Sequence, residues 1–317
     1  MKLVVTIPAL NEEESVGDVV RSIPRKLEGF DEVAVLLVDD GSTDNTVEEA
    51  RKAGCDRVLS FRRNQGLATV FKWALAEALR MDADVIVNID SDGQYESSEM
   101  PRLLQPILSG EADFVLGSRF AGTIEEMPRS KRIGNRFGTW VTGKLARMPI
   151  TDAQTGYRAL TRHAALMLNI LSRHTYTQET IIQAGYKRLK VVEVPITFKR
   201  RSSGSSRLVI SFFHYANRAA ITVGRMFISR HALTLMTSAG VLSILFGLGF
   251  GGRVLFHYFS TGQVSPFLPS AVLAGFGVVF GVQLIALGMI SSMVADNRDL
   301  VEDALYTLKD RHSAREA

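Results

Sequence analysis

The chain has 317 residues, enough for about two units at roughly 150 residues per domain. With 46% hydrophobic and 22% charged residues it can bury a core, which excludes a disordered or collagen-like polymer; a single cysteine, Cys55, excludes an internal disulfide framework and a cysteine-rich zinc site. The net charge of +4 is unevenly placed: residues 194–295 carry eight basic side chains and no acidic one, beside the most apolar part of the chain, so a lipid bilayer and no nucleic acid is the expected partner.

In chain order, Met1–Leu10 is too short an apolar run for a signal peptide, and Glu12, Glu13 and Glu14 follow at once. Leu3–Ile7, Val33–Val38, Val58–Ser60, Val85–Ile89 and Phe114–Gly117 read as buried strands. Glu12–Lys26, Asp44–Ala53, Leu67–Met81 and Ser97–Leu108 read as helices between them. This alternation predicts an α/β domain over residues 1–200, with a mostly parallel sheet covered on both faces. Phe71 and Trp73 read as helix packing, and His163 and His174 as surface residues.

Residues 201–230 mix Leu208, Ile210, Phe212 and Phe213 with Arg207, Arg218, Arg225 and Arg230. Apolar stems with a cationic rim suit basic amphipathic juxtamembrane helices in the headgroup layer; a helix packed on the globular domain fits equally. Residues 231–295 read as a transmembrane hairpin with spans near 232–256 and 267–294, because Ala232–Gly252 and Tyr258–Ala295 hold no charge. The first of these charge-free runs alone, 21 residues at about 1.5 Å each, covers roughly 30 Å, one hydrocarbon core. Pro266 and Pro269 mark the entrance to the second span. Two buried helices of a soluble protein are the alternative, disfavoured because a soluble core rarely needs two such runs. The basic excess before the first span places residues 1–230, and with them both termini, in the cytoplasm, including a tail helix in 296–317. A homo-oligomer is left open.

Ligands of such sheets collect at the carboxyl ends of the strands. Pro8-Ala9-Leu10-Asn11 follows the first strand, Asp39-Asp40-Gly41-Ser42-Thr43-Asp44 the second, Asp90-Ser91-Asp92-Gly93-Gln94 the fourth, and Ser118-Arg119 the fifth. One site on one edge is implied. Asp90 and Asp92, two apart in an extended segment, point the same way and suit Mg²⁺ or Mn²⁺. Asp44 reads as a helix cap, whereas the adjacent carboxylates Asp39 and Asp40 need a cation or donor groups nearby.

The strand ending Pro-Ala-Leu-Asn-Glu-Glu, then DDGSTD, then DSDGQ, resembles the GT-A nucleotide-sugar domain of glycosyltransferase family 2 over about residues 1–200. TDAQTGYRAL (151–160), TYTQE (175–179) and RSSGSSRL (201–208), with the hairpin, resemble the polyprenyl-phosphate (dolichyl-phosphate) mannose and glucose synthase branch. The resemblance implies inverting, metal-dependent transfer of one hexose from GDP-mannose or a UDP-sugar to a membrane polyprenyl phosphate. It implies donor contacts from Pro8, Asn11, Glu12, Asp39, Asp40, Asp90, Ser91 and Asp92, with Asp90 and Asp92 on the metal. It places Asp152, Gln154 and Glu179, beside Asp92, among the catalytic candidates near the sugar. An acceptor phosphate is already nucleophilic and calls for arginines; Arg119, Arg132 and Arg207, helped by Asn135, are the candidates. A synthase extending a polysaccharide or glycosylating another lipid, and a non-catalytic nucleotide-sugar-binding scaffold, are the competing readings.

Overall fold

The computed structural model describes residues 1–170, 175–200 and 212–313. Seven strands, β1 (Lys2–Ala9), β2 (Glu32–Asp39), β3 (Arg57–Ser60), β4 (Val85–Asn88), β5 (Phe114–Ile124), β6 (Arg158–Thr161) and β7 (Val191–Phe198), form one sheet in the order β3-β2-β1-β4-β6-β5-β7. All neighbours run parallel except β6, which is antiparallel to both β4 and β5. The helices of this layer are α1 (Val16–Ser22), α2 (Thr46–Lys52), α3 (Leu67–Arg80), α4 (Met100–Leu108), α5 (Arg129–Ala146), α6 (Arg162–Met167) and α7 (Thr177–Tyr186).

The inner strands are apolar throughout because both faces are covered. Leu3, Val5 and Ile7 pack with Val20 and Leu103 on one face, while Val4, Leu36 and Ile86 pack with Phe71 and Ile181 on the other. Each such side chain, fully buried, stabilises by about 1.5–3 kcal/mol.

Some boundaries differ from the sequence reading. The first helix is shorter than Glu12–Lys26: Pro24 holds Ile23 extended (φ −70°, ψ 122°), and at the other end Asn11 takes a left-handed φ of 52° that opens a loop. β5 runs past Gly117 to Ile124, with a register shift against β7 between Ser118 and Thr123. Phe71 is fully buried, with its ring 3.9 Å from that of Tyr176, and Trp73 lies half-exposed against Phe61.

The chain divides into two units, Met1–Val223 with Ala304–Ala317, and Gly224–Asp303. Two long helices, α8 (Phe212–Thr261) and α9 (Leu268–Ser313), run without interruption, so residues 212–230 continue into the first apolar stretch as one helix. Both are long and apolar enough to cross a membrane, with only 11% of each apolar window buried. Their facing sides are glycine: a Cβ on Gly281 would lie 2.5 Å from the Gly240 carbonyl, and one on Gly247 2.8 Å from that of Ala274. Ser243 Oγ donates to the Gly277 carbonyl at 2.8 Å across the seam. Small residues let the backbones approach where lipid supplies no hydrophobic drive between helices. The end of α9 lies on α6, where Lys309 Nζ donates to Asn169 Oδ1 (2.9 Å) and Tyr306 meets His163.

Candidate active site

The carboxyl ends of β1, β2 and β4 lie side by side, with Ala9 opposite Asp39 and Thr6 opposite Asn88. β2 and β4 flank β1 on opposite sides, which makes this edge the switch point of the sheet.

Two loops above the edge hold each other. Asn11 N–H donates to Ser42 Oγ (2.8 Å), Asn11 Oδ1 accepts from Thr43 N–H (2.7 Å), and Glu12 N–H donates to Thr46 Oγ1 (2.8 Å). Asp39 is buried and accepts from Ser42 N–H (3.0 Å) and Ser60 Oγ (2.5 Å). Asp40 turns the other way, taking Gln65 N–H (2.6 Å) and Gly66 N–H (3.1 Å) at the start of α3. Burial pushes its carboxyl above the ordinary range, opposed by those two backbone donors. The adjacent carboxylates thus coexist by facing separate donors, and Asp40 serves as a loop brace in this arrangement. Gly41 joins them at φ 80°, with Arg63 backbone where a side chain would stand. Asp44 accepts from Thr46 N–H (3.0 Å), but as an Asx turn one residue ahead of the helix, whose cap position is Asn45 and not the Asp44 the sequence suggests.

Asp90 and Asp92 follow β4. Burial, then the nearby Asp92 charge, pushes the Asp90 carboxyl up to about 7, with Arg119 and Arg158 pulling it down. The Asp90 carboxylate rests on the backbone of Gly156, where a Cβ would lie 2.4 Å from Oδ2. Asp92 Oδ1 accepts from Gln94 N–H (3.1 Å), and Ser91, buried, offers its carbonyl to Ser15 Oγ (2.8 Å). Among the described residues no three His, Cys, Asp or Glu side chains form a closed metal cage. Two hard carboxylates on an otherwise incomplete shell fit a divalent ion that completes its coordination with water and a ligand's phosphates.

Arg119 and Asp152 are brought together and occupied by one another. Nε donates to Oδ2 (2.6 Å) and Nη2 to Oδ1 (2.8 Å), with the Arg119 N–H also on Oδ2 (3.1 Å). Both are buried. Burial opposes the arginine's charge, but Tyr95, Asp152 and Asp90 outweigh it and raise its pKa. Arg119 and Asp152, read from the sequence as a phosphate ligand and a sugar contact, form a buried bidentate pair that stands within electrostatic reach of Asp90.

Gln154 N–H also leans on Asp152 Oδ1 (3.2 Å), and its Oε1 accepts from Thr139 of α5 (3.0 Å). Glu179 is buried in α7 with Gln183 Nε2 on Oε1 (3.3 Å). Pro8 is buried in β1 opposite Val38, and Glu12 Oε2 accepts from Ser15 Oγ (3.2 Å). On α5, Arg132 is exposed while Asn135 is buried against Met127 Sδ. Arg207 lies outside the described residues.

Several supporting residues escaped the sequence reading. Arg158 is wholly buried and donates to the carbonyls of Ala153 (3.1 Å), Thr155 (2.8 Å) and Thr177 (3.1 Å), tying the 151–157 loop to α7. Burial lowers its pKa, against the pull of Tyr176, Tyr95, Asp152 and Asp90. Asn88 Nδ2 donates to the Gly156 carbonyl (2.8 Å), and Tyr95 OH accepts from Gly156 N–H (3.0 Å). The glycine and arginine of TGYR were the available signal, a tight spot and a charge inside an otherwise apolar stretch.

The chain matches the family described as Glycosyl transferase family 2 over residues 4–167. It belongs to that family, and its sheet is a GT-A fold carrying a hexosyltransferase's domain. It is 29% identical over 298 residues to glycosyltransferase AglJ of Haloferax volcanii, covering 90% of this chain and 91% of that one. It is 29% identical over 211 residues to a UDP-N-acetylglucosamine–dolichyl-phosphate N-acetylglucosaminyltransferase of Methanococcus voltae, covering 60% of this chain and 82% of that one. The fold also matches glucosyl-3-phosphoglycerate synthase of Mycobacterium tuberculosis, solved with Mn²⁺, UDP and glucosyl-3-phosphoglycerate (TM-score 0.55, 21% identity, 72% of this chain and 79% of that one).

Proposed function

We propose that this chain transfers one hexose, with inversion, from a nucleotide sugar to a membrane polyprenyl phosphate. The observation that carries the reading is the single sheet edge where Asp90 and Asp92 stand beside a buried arginine, in a chain that also holds two bilayer-length helices. A relative supports the same acceptor, being named for transfer to dolichyl phosphate. Mn²⁺ and UDP in the structural neighbour support a divalent cofactor and a diphosphate donor.

Asp90 and Asp92 hold the cation, Mg²⁺ or Mn²⁺, which when bound supplies neutralisation of charge on the departing nucleoside diphosphate. The braced loops of Asn11 and Asp39 form the nucleotide side, with Pro8, Glu12 and Ser91 as walls. An acceptor phosphate oxygen attacks the anomeric carbon as the bond to the diphosphate oxygen breaks on the opposite face. At neutral pH that phosphate carries about −1.5 to −2 charge, so no side chain need remove a proton and positioning does the work. Asp152, engaged in full by Arg119, therefore acts by holding the arginine, whose charge faces the anionic reactants. Gln154 and Glu179 are the groups assigned to the hexose hydroxyls, and Arg132 with Asn135 to the acceptor side. The catalytic unit and both termini lie on the cytoplasmic face, set by the basic excess ahead of the first span.

The deciding experiment incubates the purified chain with a panel of nucleotide sugars, Mg²⁺ or Mn²⁺ and polyprenyl phosphate, with mass spectrometry of the lipid. A single added hexose on the lipid phosphate is expected. No lipid-linked sugar from any donor rejects the reading, and a ladder of sugars points to a polymerising synthase instead.

A further inference from the structure

Helix α7 is buried on every side from Thr177 to Ala184, although much of that stretch is polar. A polar side chain taken out of water needs partners, and those of Gln183 are specific. Its Oε1 accepts from the Asn169 N–H (2.9 Å) and its Nε2 donates to the Asn169 carbonyl (2.6 Å). A backbone donor and a backbone acceptor on one residue fix which end of the amide is which. The same Nε2 reaches Glu179 Oε1 (3.3 Å), one turn back on the same face of the helix. The buried Glu179 carboxylate is thus met by an amide that is keyed to the exit of α6.

That exit is held from the far end of the chain. Lys309 Nζ donates to Asn169 Oδ1 (2.9 Å) and to the Leu168 carbonyl (3.4 Å). Tyr306 OH lies 3.4 Å from His163 Nδ1, and Asp310 pairs with Arg162 at 3.6 Å. Residues 304–317 belong to the same compact unit as the sheet. From Ala304 to Asp310 only Tyr306 and Lys309 are drawn in from solvent, while Leu305 and Leu308 stay outside, 40% and 62% exposed. A helix laid down by hydrophobic adhesion buries its leucines. This one is seated by polar side chains, on the residue whose backbone orients Gln183. Contact therefore runs from Lys309 to Asn169, from Asn169 to Gln183 and from Gln183 to Glu179.

We propose that Gln183 is a positioning residue for the sugar, setting the Glu179 carboxylate toward the hexose hydroxyls, and that the tail of the chain holds Gln183 in that setting through Lys309 on Asn169. The proposal rests on the assignment of Glu179 to the hexose made above.

The full chain in detergent is assayed with polyprenyl phosphate, Mg²⁺ and UDP-glucose, UDP-N-acetylglucosamine or GDP-mannose, and the fastest donor is carried forward. Glu179→Gln is expected to lower kcat/KM for that donor about 30-fold, the loss of a charged hydrogen bond. Gln183→Met keeps the length without the amide and is expected to lose about 10-fold. The double variant is expected to be no slower than Glu179→Gln alone, because Gln183 acts through the carboxylate. Inhibition by the free nucleoside diphosphate, which lacks the sugar, is expected to stay within about twofold of the parent throughout. Losses that add in the double variant, or weakened nucleoside diphosphate inhibition beside slow transfer, overturn the proposal, since Gln183 then supports the fold at large. Parental rates in Gln183→Met beside a slow Glu179→Gln overturn it and leave the sugar assignment standing. A full-rate Glu179→Gln, or a parent that transfers from no donor, removes that assignment and the proposal with it. Should Gln183→Met fail to fold, Lys309→Met carries the test: faster amide hydrogen exchange in peptides covering α7, with β1 and β2 unchanged, and a lower kcat/KM that Lys309→Arg restores. Parental exchange and rate in Lys309→Met overturn the part given to the tail.

Discussion

At the carboxyl edge of the sheet, charged groups are inside and cross-braced, with Arg119 on Asp152, Arg158 on three carbonyls and Asp40 on two amides. In Gly224–Asp303 the large apolar groups are outside, Phe256 at 77% and Phe276 at 71% exposed, and the contact between helices is made of glycine. One rule applies to both regions, that backbone and polar groups away from water are paired, Gln178 Oε1 being the exception among the described residues, while the apolar exterior of the second region suits lipid as its solvent. In the sheet unit, specificity comes from paired charge. In the hairpin it comes from absent side chains.

Four variants and conditions break or sharpen this contrast. Asp92→Ala removes a carboxylate assigned to the cation and is expected to cut transfer to lipid on the order of 10³-fold, with unfolding unchanged, as read by labelled-sugar transfer and a thermal melt. Asp152→Ala strands the buried Arg119 charge and is expected to cost about 3–5 kcal/mol in denaturant unfolding, the penalty of breaking a buried pair. For pH, Asp90 holds its proton up to about 7 in the folded chain against an ordinary value of 3.8. The folded state therefore binds more protons than the unfolded one between those values, and stability in chelator falls as pH rises across that window. Asp90→Asn is expected to flatten that slope, measured as melting temperature against pH. The smallest effect is in the hairpin: Gly281→Leu forces a side chain against the Gly240 backbone and is expected to cost about 1–3 kcal/mol, read as the loss of a cross-linking contact between α8 and α9 in bilayers. A glycine seam that tolerates leucine would show that the hairpin is held by something other than close approach.

The strands β1, β2 and β4 were legible because doubly covered parallel strands read as unbroken apolar runs with polar residues crowded after them. β6 and β7 were not. β6 opens on the buried Arg158, which no periodicity marks as internal, and β7 carries Glu193 and Pro195, tolerated because β7 is an edge strand paired only with β5. The site's carboxylates stood out as motifs. Their partners did not: Arg119 and Asp152 are far apart in sequence and read as two separate ligands, and nothing in their spacing shows that they pair with one another. The bracing of Asp40, read as a donor contact, was likewise not legible, because its backbone partners Gln65 and Gly66 carry no signature in side-chain type. The first apolar stretch was legible by length, but its continuity with residues 212–230 was not, since the arginines there interrupt the pattern without interrupting the helix.

One bridge ties the far strand to the Asp92 loop. Lys199 N–H donates to the Gln94 carbonyl (2.8 Å), Gln94 Nε2 donates to the Lys199 carbonyl (3.1 Å), and Lys199 Nζ is paired with Glu96. Gln94 is two residues from Asp92, whose carboxylate takes the Gln94 amide. The end of β7 is therefore fastened to two places at once, the Asp92 loop through Gln94 and the loop after β5 through Glu125 and Glu126, so a substitution at Lys199 stands one backbone amide away from the aspartate.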